Sequence, residues 1–355
     1  HSGNVRKVTQ IMQRSYDGHL VIILPWQTNI PLTITPEHEL LIWHPSRRCP
    51  KSYRKLCSPA CMSSARTACP RHFTHDSLQW LKADDVRSGD FVVSPRYKQL
   101  TKETDLPSAL FRLIGYYVAE GSLGAKRGCK YYQVRFTLGG HETALADRIC
   151  ALIRKHFKRE ATVKPVPTGL WVTVCDSKMA EFFANFGCHA SEKWLPVQFV
   201  NYPDSHLHEF LIGYYEGDGC KRNGKMTTVS RTLAYQLRML FHRFGIPVRL
   251  GKYARKQHVI QGREVHNKLQ FEVAISRNCQ DPVFMWNLKP SYRAVNWVDK
   301  DYVYTKVRRT AKKHYHGIVR NFSIMDDETY VAEGIVVHNC AALKHVDLCE
   351  YNPFE

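Results

Sequence analysis

The sequence predicts an α+β protein organised around a duplicated helix-and-strand unit, on three observations. An apolar phrase occurs twice, as FRLIGYYVAEG ending at Gly121 and EFLIGYYEGDG ending at Gly219. Runs with period-two alternation follow each copy, and so does an amphipathic helical stripe.

Each phrase reads as a helix. Pro107–Ser108 and Pro203–Asp204–Ser205 supply start signals. Gly115 and Ala119 in the first copy, and Gly213 and Gly217 in the second, put small residues four apart on one helix face. Two such helices packed side by side approach until their backbones nearly touch. Parallel packing would bring Glu120 and Asp218 together at their C-terminal ends. The partial negative charge of a helix C-terminus and like-charge repulsion make that costly, and a divalent cation resolves the conflict. Mg²⁺, with carboxylate and phosphate oxygens as ligands, suits in-line hydrolysis of a phosphodiester. A pair of core helices with incidental acids is the structural alternative.

After the first helix, KYYQVRFTL places Tyr132, Val134, Phe136 and Leu138 on one face and Gln133 and Arg135 on the other. TALADRICALIRKHF aligns Leu145, Ile149, Leu152 and Phe157 in a stripe. TLAYQLRMLFHRFG answers with Leu233, Leu237, Leu240 and Phe244. VRLGKYARK and KLQFEVAIS follow as strands, with Leu269, Phe271, Val273 and Ile275 as the apolar face of the latter. Two such units about a pseudo-two-fold axis would make one long curved sheet, its outer face carrying Gln133, Arg135, Arg249, Lys252 and Arg255. A twisted ribbon of strands enters the major groove, where such side chains contact phosphates and base edges.

The bulk composition agrees. The 355 residues suffice for two or three domains, and the formal net charge of +19 suggests a polyanionic partner, double-stranded DNA above all. No apolar run of about 18 residues and no charged-then-apolar leader is present, so a cytoplasmic protein away from membranes is expected.

The paired phrases resemble the motifs of LAGLIDADG homing endonucleases, over about residues 105–295. By position, Glu120 and Asp218 match the catalytic acids, and Lys193 in SEKWLP matches a lysine that assists catalysis. Lys289 is a looser counterpart in the second half; each lysine is otherwise a phosphate contact or a solvated charge. The motif's first acidic position is Val118 in copy one, a departure at a position that is usually structural.

The chain ends carry other chemistry. In EGIVVHNC, the Asn339 side-chain amide can attack its own carbonyl and cut the following bond. His338 can assist by proton transfer, and Cys340 can act as a nucleophile. The run resembles the C-terminal splice junction of inteins, self-processing elements of the Hint fold. Thr35-x-x-His38 in the N-terminal segment resembles the intein motif whose histidine polarises the upstream scissile amide. LQWLKADDVRSGDFVVSPR at 78–96 resembles the strand that hands over to an inserted endonuclease. The resemblance implies an all-β splicing domain formed from both chain ends. The opening HSGNVRKVTQIMQRSYDGHL resembles the region after an intein's first nucleophile, which implies either a split intein with an N-terminal fragment acting in trans as partner or a truncated or processed form. Glu328 stands where many inteins carry a histidine.

Cys49, Cys57, Cys61 and Cys69 suit a closed tetrahedral Zn²⁺ site. Free thiols or two disulfides are the alternatives, with His44, His72 and His75 as further ligands. Residues 44–75 hold seven Lys or Arg and no Asp or Glu, so this knuckle is also expected to touch DNA.

The expected organisation is therefore an N-terminal splicing segment at 1–97 with the knuckle at 44–75, and repeats of αββαββα order at 98–200 and 201–296. A C-terminal splicing segment at 297–339 and the start of a host protein (C-extein) at 340–355 follow. The expected activities are a Mg²⁺-dependent double-strand cut in a long DNA site and peptide cleavage after Asn339. The competing readings are a maturase-like DNA- or RNA-binding protein without cleavage and a splicing element with an inert endonuclease.

Overall fold

The computed structural model describes residues 3, 6–43, 78–98, 104–126, 129–254, 258–260, 263–265, 269–277, 279, 281–285, 295–326 and 328–338. The chain divides into two units, one from residues 1–97 with 290–355 and one from 98–289. The expected cysteine knuckle, Arg255, Lys289, Asn339 and Cys340 lie outside the described residues.

The first unit begins with β1 (Val8–Pro25), β2 (Leu32–Ile34), β3 (Glu39–Trp43), β4 (Leu78–Lys82) and β5 (Phe91–Pro95). The second then runs α1 (Ser108–Glu120), β6 (Gly121–Lys126), β7 (Cys129–Leu138), α2 (Thr143–Phe157), β8 (Thr162–Val166), β9 (Gly169–Cys175) and α3 (Ser177–Ala184). It continues with α4 (Asp204–Asp218), β10 (Lys225–Thr228), α5 (Arg231–Arg243), β11 (Val248–Tyr253), β12 (His258–Ile260), β13 (Arg263–Val265), β14 (Gln270–Ile275) and α6 (Pro282–Met285). The first unit resumes with β15 (Asn296–Val298), β16 (Tyr302–Ile324), β17 (Thr329–Ala332) and β18 (Ile335–His338).

In the first unit, strands far apart in sequence share one sheet in the order β17-β18-β3-β5-β16-β1-β2, with β15 on β16 and β4 on β3. The antiparallel β1–β16 ladder runs from Val8↔Ile324 to Pro25↔Val307. Val21, Ile23, Leu40, Ile42, Val92, Val307, Ile335 and Val337 form one buried cluster. Removal of these β-branched and leucine side chains from water is what brings residues more than 300 positions apart into one core.

The second unit is built on α1 packed against α4. Its first half follows the expected αββαββα order, with an antiparallel sheet β6-β7-β9-β8. Val134, Phe136 and Leu138 face the core, as the alternation predicts. The second half departs from that order. Its sheet is β10-β14-β11, with β12–β13 as a separate hairpin. The hairpin expected straight after α4 shrinks to the bridge Cys220↔Lys225. Gly224, at φ +69°, closes a tight turn there by donating its N–H to the Cys220 carbonyl at 2.8 Å. The segment GCKRNGKMTT is too short for two full strands beyond that turn. Among the described residues the two sheets are not hydrogen-bonded to one another, which corrects the expectation of one long sheet.

Smaller corrections follow from helix phase. The buried stripe of α2 is Leu145, Ile149 and Ile153, and Leu152 sits beside it. Phe241, not Phe244, completes that of α5. Leu269 precedes β14 and is exposed. Among the described residues no helix is long and apolar enough to cross a membrane.

Candidate functional site

The small residues of α1 and α4 do what their spacing predicts. A Cβ on Gly115 would run into the Phe210 carbonyl and lie 2.7 Å from the Tyr214 amide nitrogen. One on Gly213 would strike the Arg112 backbone, and one on Gly217 would lie 2.7 Å from the Ala119 Cβ. Backbone therefore meets backbone, which only hydrogen in place of a side chain allows.

The contact delivers both C-terminal acids to one place. The Glu120 Cγ would lie 3.4 Å from a Cβ on Gly217, one residue before Asp218. Burial and the charge of Asp218, with a smaller part from Glu142, push the Glu120 carboxyl up to about 8. Burial pushes Asp218 up to about 7, against two hydrogen bonds that favour its ionised form. Those bonds are the Tyr214 hydroxyl donating to Oδ2 at 3.2 Å and the Thr227 N–H donating to the same oxygen at 2.9 Å. Glu120 meets no hydrogen-bond donor among the described residues.

Two half-buried carboxyls that repel one another fit a divalent cation, which offsets both the desolvation and the repulsion. Among the described residues no group of three or more His, Cys, Asp or Glu side chains is gathered as a metal cage. The pair thus offers two candidate ligands for a hard cation, whose other ligands would be water or phosphate oxygen.

Lys193 is nearly fully buried and lies over the Tyr117 ring at 3.4 Å, its Nζ donating to the Gly187 carbonyl at 3.1 Å. Burial drives it down to about 7. The Tyr117 hydroxyl donates to the same carbonyl at 2.7 Å, and Ser230 Oγ donates to the Lys193 carbonyl at 2.6 Å.

The basic residues of the sheets are less available than their sequence pattern suggests. The Arg135 guanidinium stacks on Trp171 at 4.2 Å and donates to Gln133 Oε1 at 2.8 Å. Arg249 pairs with Glu272, which also takes Lys225 at 2.9 Å. Lys252 is exposed but projects from the opposite face of β11, because it is an odd number of residues from Arg249. The expectation that Arg249 and Lys252 share one DNA-facing surface is therefore corrected.

In the first unit, Thr35 Oγ1 and His38 Nδ1 are 2.6 Å apart and both residues are buried. Burial pushes the imidazole down, opposed by Glu37 and by the Asn321 side chain beside it. β18 pairs antiparallel with β3 at Val337↔Leu40, so His338 and His38 fall at the same end of that ladder. The His338 ring sits edge-on to Trp80 at 5.0 Å.

Sequence reasoning did not find Asn321, Thr227, Tyr214 or the cross-helix group in which Arg112 binds Glu209 at 2.7 Å and approaches Glu216 at 3.8 Å. Only the i,i+4 spacing of Tyr214 and Asp218 was a usable signal; the other contacts join distant segments.

Residues 205–273 match the model of the LAGLIDADG-like domain. The chain is 25% identical to the uncharacterized protein MJ0043 of Methanocaldococcus jannaschii, over 96% of this chain and 46% of that protein. It is 27% identical to the iron-sulfur cluster assembly SufBD family protein Rv1461 of Mycobacterium tuberculosis (96% and 39%). It is 26% identical to the ATP-dependent DNA helicase Hel308 of Thermococcus kodakarensis (97% and 34%). The chain thus spans less than half the length of these relatives. Among solved structures, the homing endonuclease I-DmoI in complex with DNA and Mn is similar at a TM-score of 0.34 and 14% identity, over 48% of this chain and 89% of that one. Full-length DUF199/WhiA from Thermatoga maritima is similar at 0.32 and 15%, over 53% and 58%.

Proposed function

We propose that the unit at 98–289 is a divalent-cation-dependent DNA endonuclease of the LAGLIDADG type. The observation that carries this reading is the convergence of Glu120 and Asp218 at the ends of two helices in backbone contact, with both carboxyls pushed above their usual range. Glu120 and Asp218 would hold Mg²⁺, which when bound supplies charge stabilisation at the scissile phosphate and a more acidic water. Tyr214 and Thr227 both donate to Oδ2 of Asp218 and so fix that oxygen. Lys193, near neutrality under Tyr117, can gain or lose a proton close to physiological pH. Lys289, Arg255 and the Zn²⁺ knuckle at Cys49, Cys57, Cys61 and Cys69 remain part of the proposal through sequence alone.

The sheet unit is proposed to be the splicing domain that carries this nuclease, an intein of Hint type. Two observations favour it. The buried Thr35–His38 pair, with Asn321 of β16 beside the imidazole, belongs to a segment that resembles the intein Thr–His motif. In addition, 96–97% of the chain aligns with parts of proteins named for iron-sulfur cluster assembly and for DNA unwinding, as expected of an element that is independent of its host. Asn339, with His338 beside it, would close to a succinimide and release the chain from Cys340 onward.

Incubation with a randomised duplex library and Mg²⁺ tests the nuclease. Double-strand ends at one long site are expected, and none with EDTA or with Glu120→Gln or Asp218→Asn. DNA binding without Mg²⁺-dependent cutting by the parent would favour the maturase-like reading. Intact-mass spectrometry over time tests the second activity, with loss of 340–355 abolished in Asn339→Ala.

A further inference from the structure

The two helices present their acids differently, and one residue accounts for it. Tyr116 and Tyr214 occupy matching places, each four residues before its acid. Tyr214 donates to Asp218 on its own helix. Tyr116 does not donate to Glu120; its hydroxyl crosses the helix interface and donates to Glu216. Glu216 stands where the first copy has Val118, which accepts nothing. Arg112, from the Tyr116 helix, also faces the Glu216 carboxylate at 3.8 Å and holds Glu209, on the same helix as Glu216, at 2.7 Å, which turns Glu216 toward α1. Tyr116 is fully buried, so its hydroxyl cannot turn to water instead. The result is one acid held by two donors and one acid with no donor among the described residues.

We propose that Glu216 is a positioning residue of the cation site: by capturing Tyr116 it denies Glu120 the hydroxyl that Asp218 receives, which leaves Glu120 as the movable ligand and Asp218 as the fixed one. The proposal rests on the nuclease reading. Its physical basis is competition for lone pairs. A tyrosine hydroxyl donating to Glu120 would occupy a site the cation uses, so freeing Tyr116 weakens cation binding. Glu216→Val removes the acceptor and the charge, whereas Glu216→Gln removes the charge but keeps an acceptor for Tyr116.

The test counts Mn²⁺ bound to the full chain by electron paramagnetic resonance, with thermal melts to check folding. Glu216→Val is expected to bind Mn²⁺ about three- to tenfold more weakly than Glu216→Gln, the worth of one hydrogen bond. In a Tyr116→Phe background that difference is expected to vanish. A chain carrying 3-fluorotyrosine in place of Tyr116 gives a second readout. Its fluorine resonance is expected to move with Glu216→Val and to stay with Glu120→Gln. The proposal is overturned if Glu216→Val and Glu216→Gln bind Mn²⁺ alike, if their difference persists without Tyr116, or if the resonance follows Glu120. Mn²⁺ binding that survives Glu120→Gln combined with Asp218→Asn sinks the nuclease reading and the proposal together. That outcome is distinct from one in which the double change abolishes binding while the Glu216 variants agree.

Discussion

The first and second halves of the unit at 98–289 share a helix phrase and little else in detail. The first half has a continuous four-stranded sheet and an acid with no donor among the described residues; the second has a three-stranded sheet, a separate hairpin and an acid held by Tyr214 and Thr227. The two differences are linked. Shortening of the segment after α4 brings β10 close behind the helix, and the Thr227 N–H of β10 reaches Asp218. In the first half, β6 starts at the helix end and pairs on one edge with β7, while the Leu123 N–H on its other edge donates to the Cys188 carbonyl at 3.3 Å. Duplication thus sets the helix contact, and strand length sets how each acid is held.

The largest expected effect comes from the part the halves share. Gly213→Val would drive a side chain into the Arg112 backbone. A loss of more than about 3 kcal/mol in unfolding free energy is expected, with DNA binding lost too. Gly217→Ala meets side chains alone, Ala119 Cβ at 2.7 Å and Glu120 Cγ at 3.4 Å, and should cost about 1 kcal/mol. Equal melting shifts for the two would break the picture of backbone contact centred on Gly213.

Lys193 comes next. Its folded pKa, about 7, is far below that of an exposed lysine, so between pH 7 and about 10 the unfolded chain holds more protons and the parent gains stability as pH rises. Lys193→Met should therefore stabilise by about 2 kcal/mol near pH 6, with the advantage shrinking toward pH 10. Denaturant melts across that range decide it, and a pH-independent difference would mean that the ammonium is not buried as described.

Glu120 gives the opposite sign. Its carboxyl is raised from near 4.5 to about 8, so within that window the folded state holds the extra proton and the parent loses stability as pH rises. With EDTA present, Glu120→Gln should match the parent near pH 4.5 and exceed it by about 1–2 kcal/mol above pH 8. Adding Mg²⁺ should narrow that gap. Asp218→Asn sharpens the comparison between halves, because its amide oxygen keeps the Tyr214 and Thr227 donors but without charge assistance, which should cancel part of its gain.

The smallest effect concerns the sheets. Glu272→Gln releases Arg249 and Lys225, and should strengthen non-specific duplex binding severalfold at low salt while steepening its salt dependence by about one to two phosphate contacts. No change in slope would mean that this face of the second half does not meet DNA.

Particular residues show why some of this was legible in the sequence. The α1–α4 contact was legible because small residues at i and i+4 leave a helix no other way to bury that face. The β7 core face was legible because alternation encodes it. The fate of the strand after Asp218 was legible only in part. GCKRNG is plainly a turn, but which strand β10 would pair with depended on β14, some 45 residues on. The basic residues misled for a similar reason. A sequence lists Arg135 and Arg249 as charges, and only packing reveals that Trp171 and Glu272 already hold them.

The sequence by itself determined the duplicated helices, their glycine contact and the acids at their ends, because these follow from helical period and side-chain size within one short segment. Tertiary structure alone decided which tyrosine serves which acid, that Lys193 is buried under Tyr117 and that Asn321 lies near His38. Each of those depends on atoms brought together from distant segments, where a hydroxyl or an imidazole takes whichever partner the packing leaves within reach.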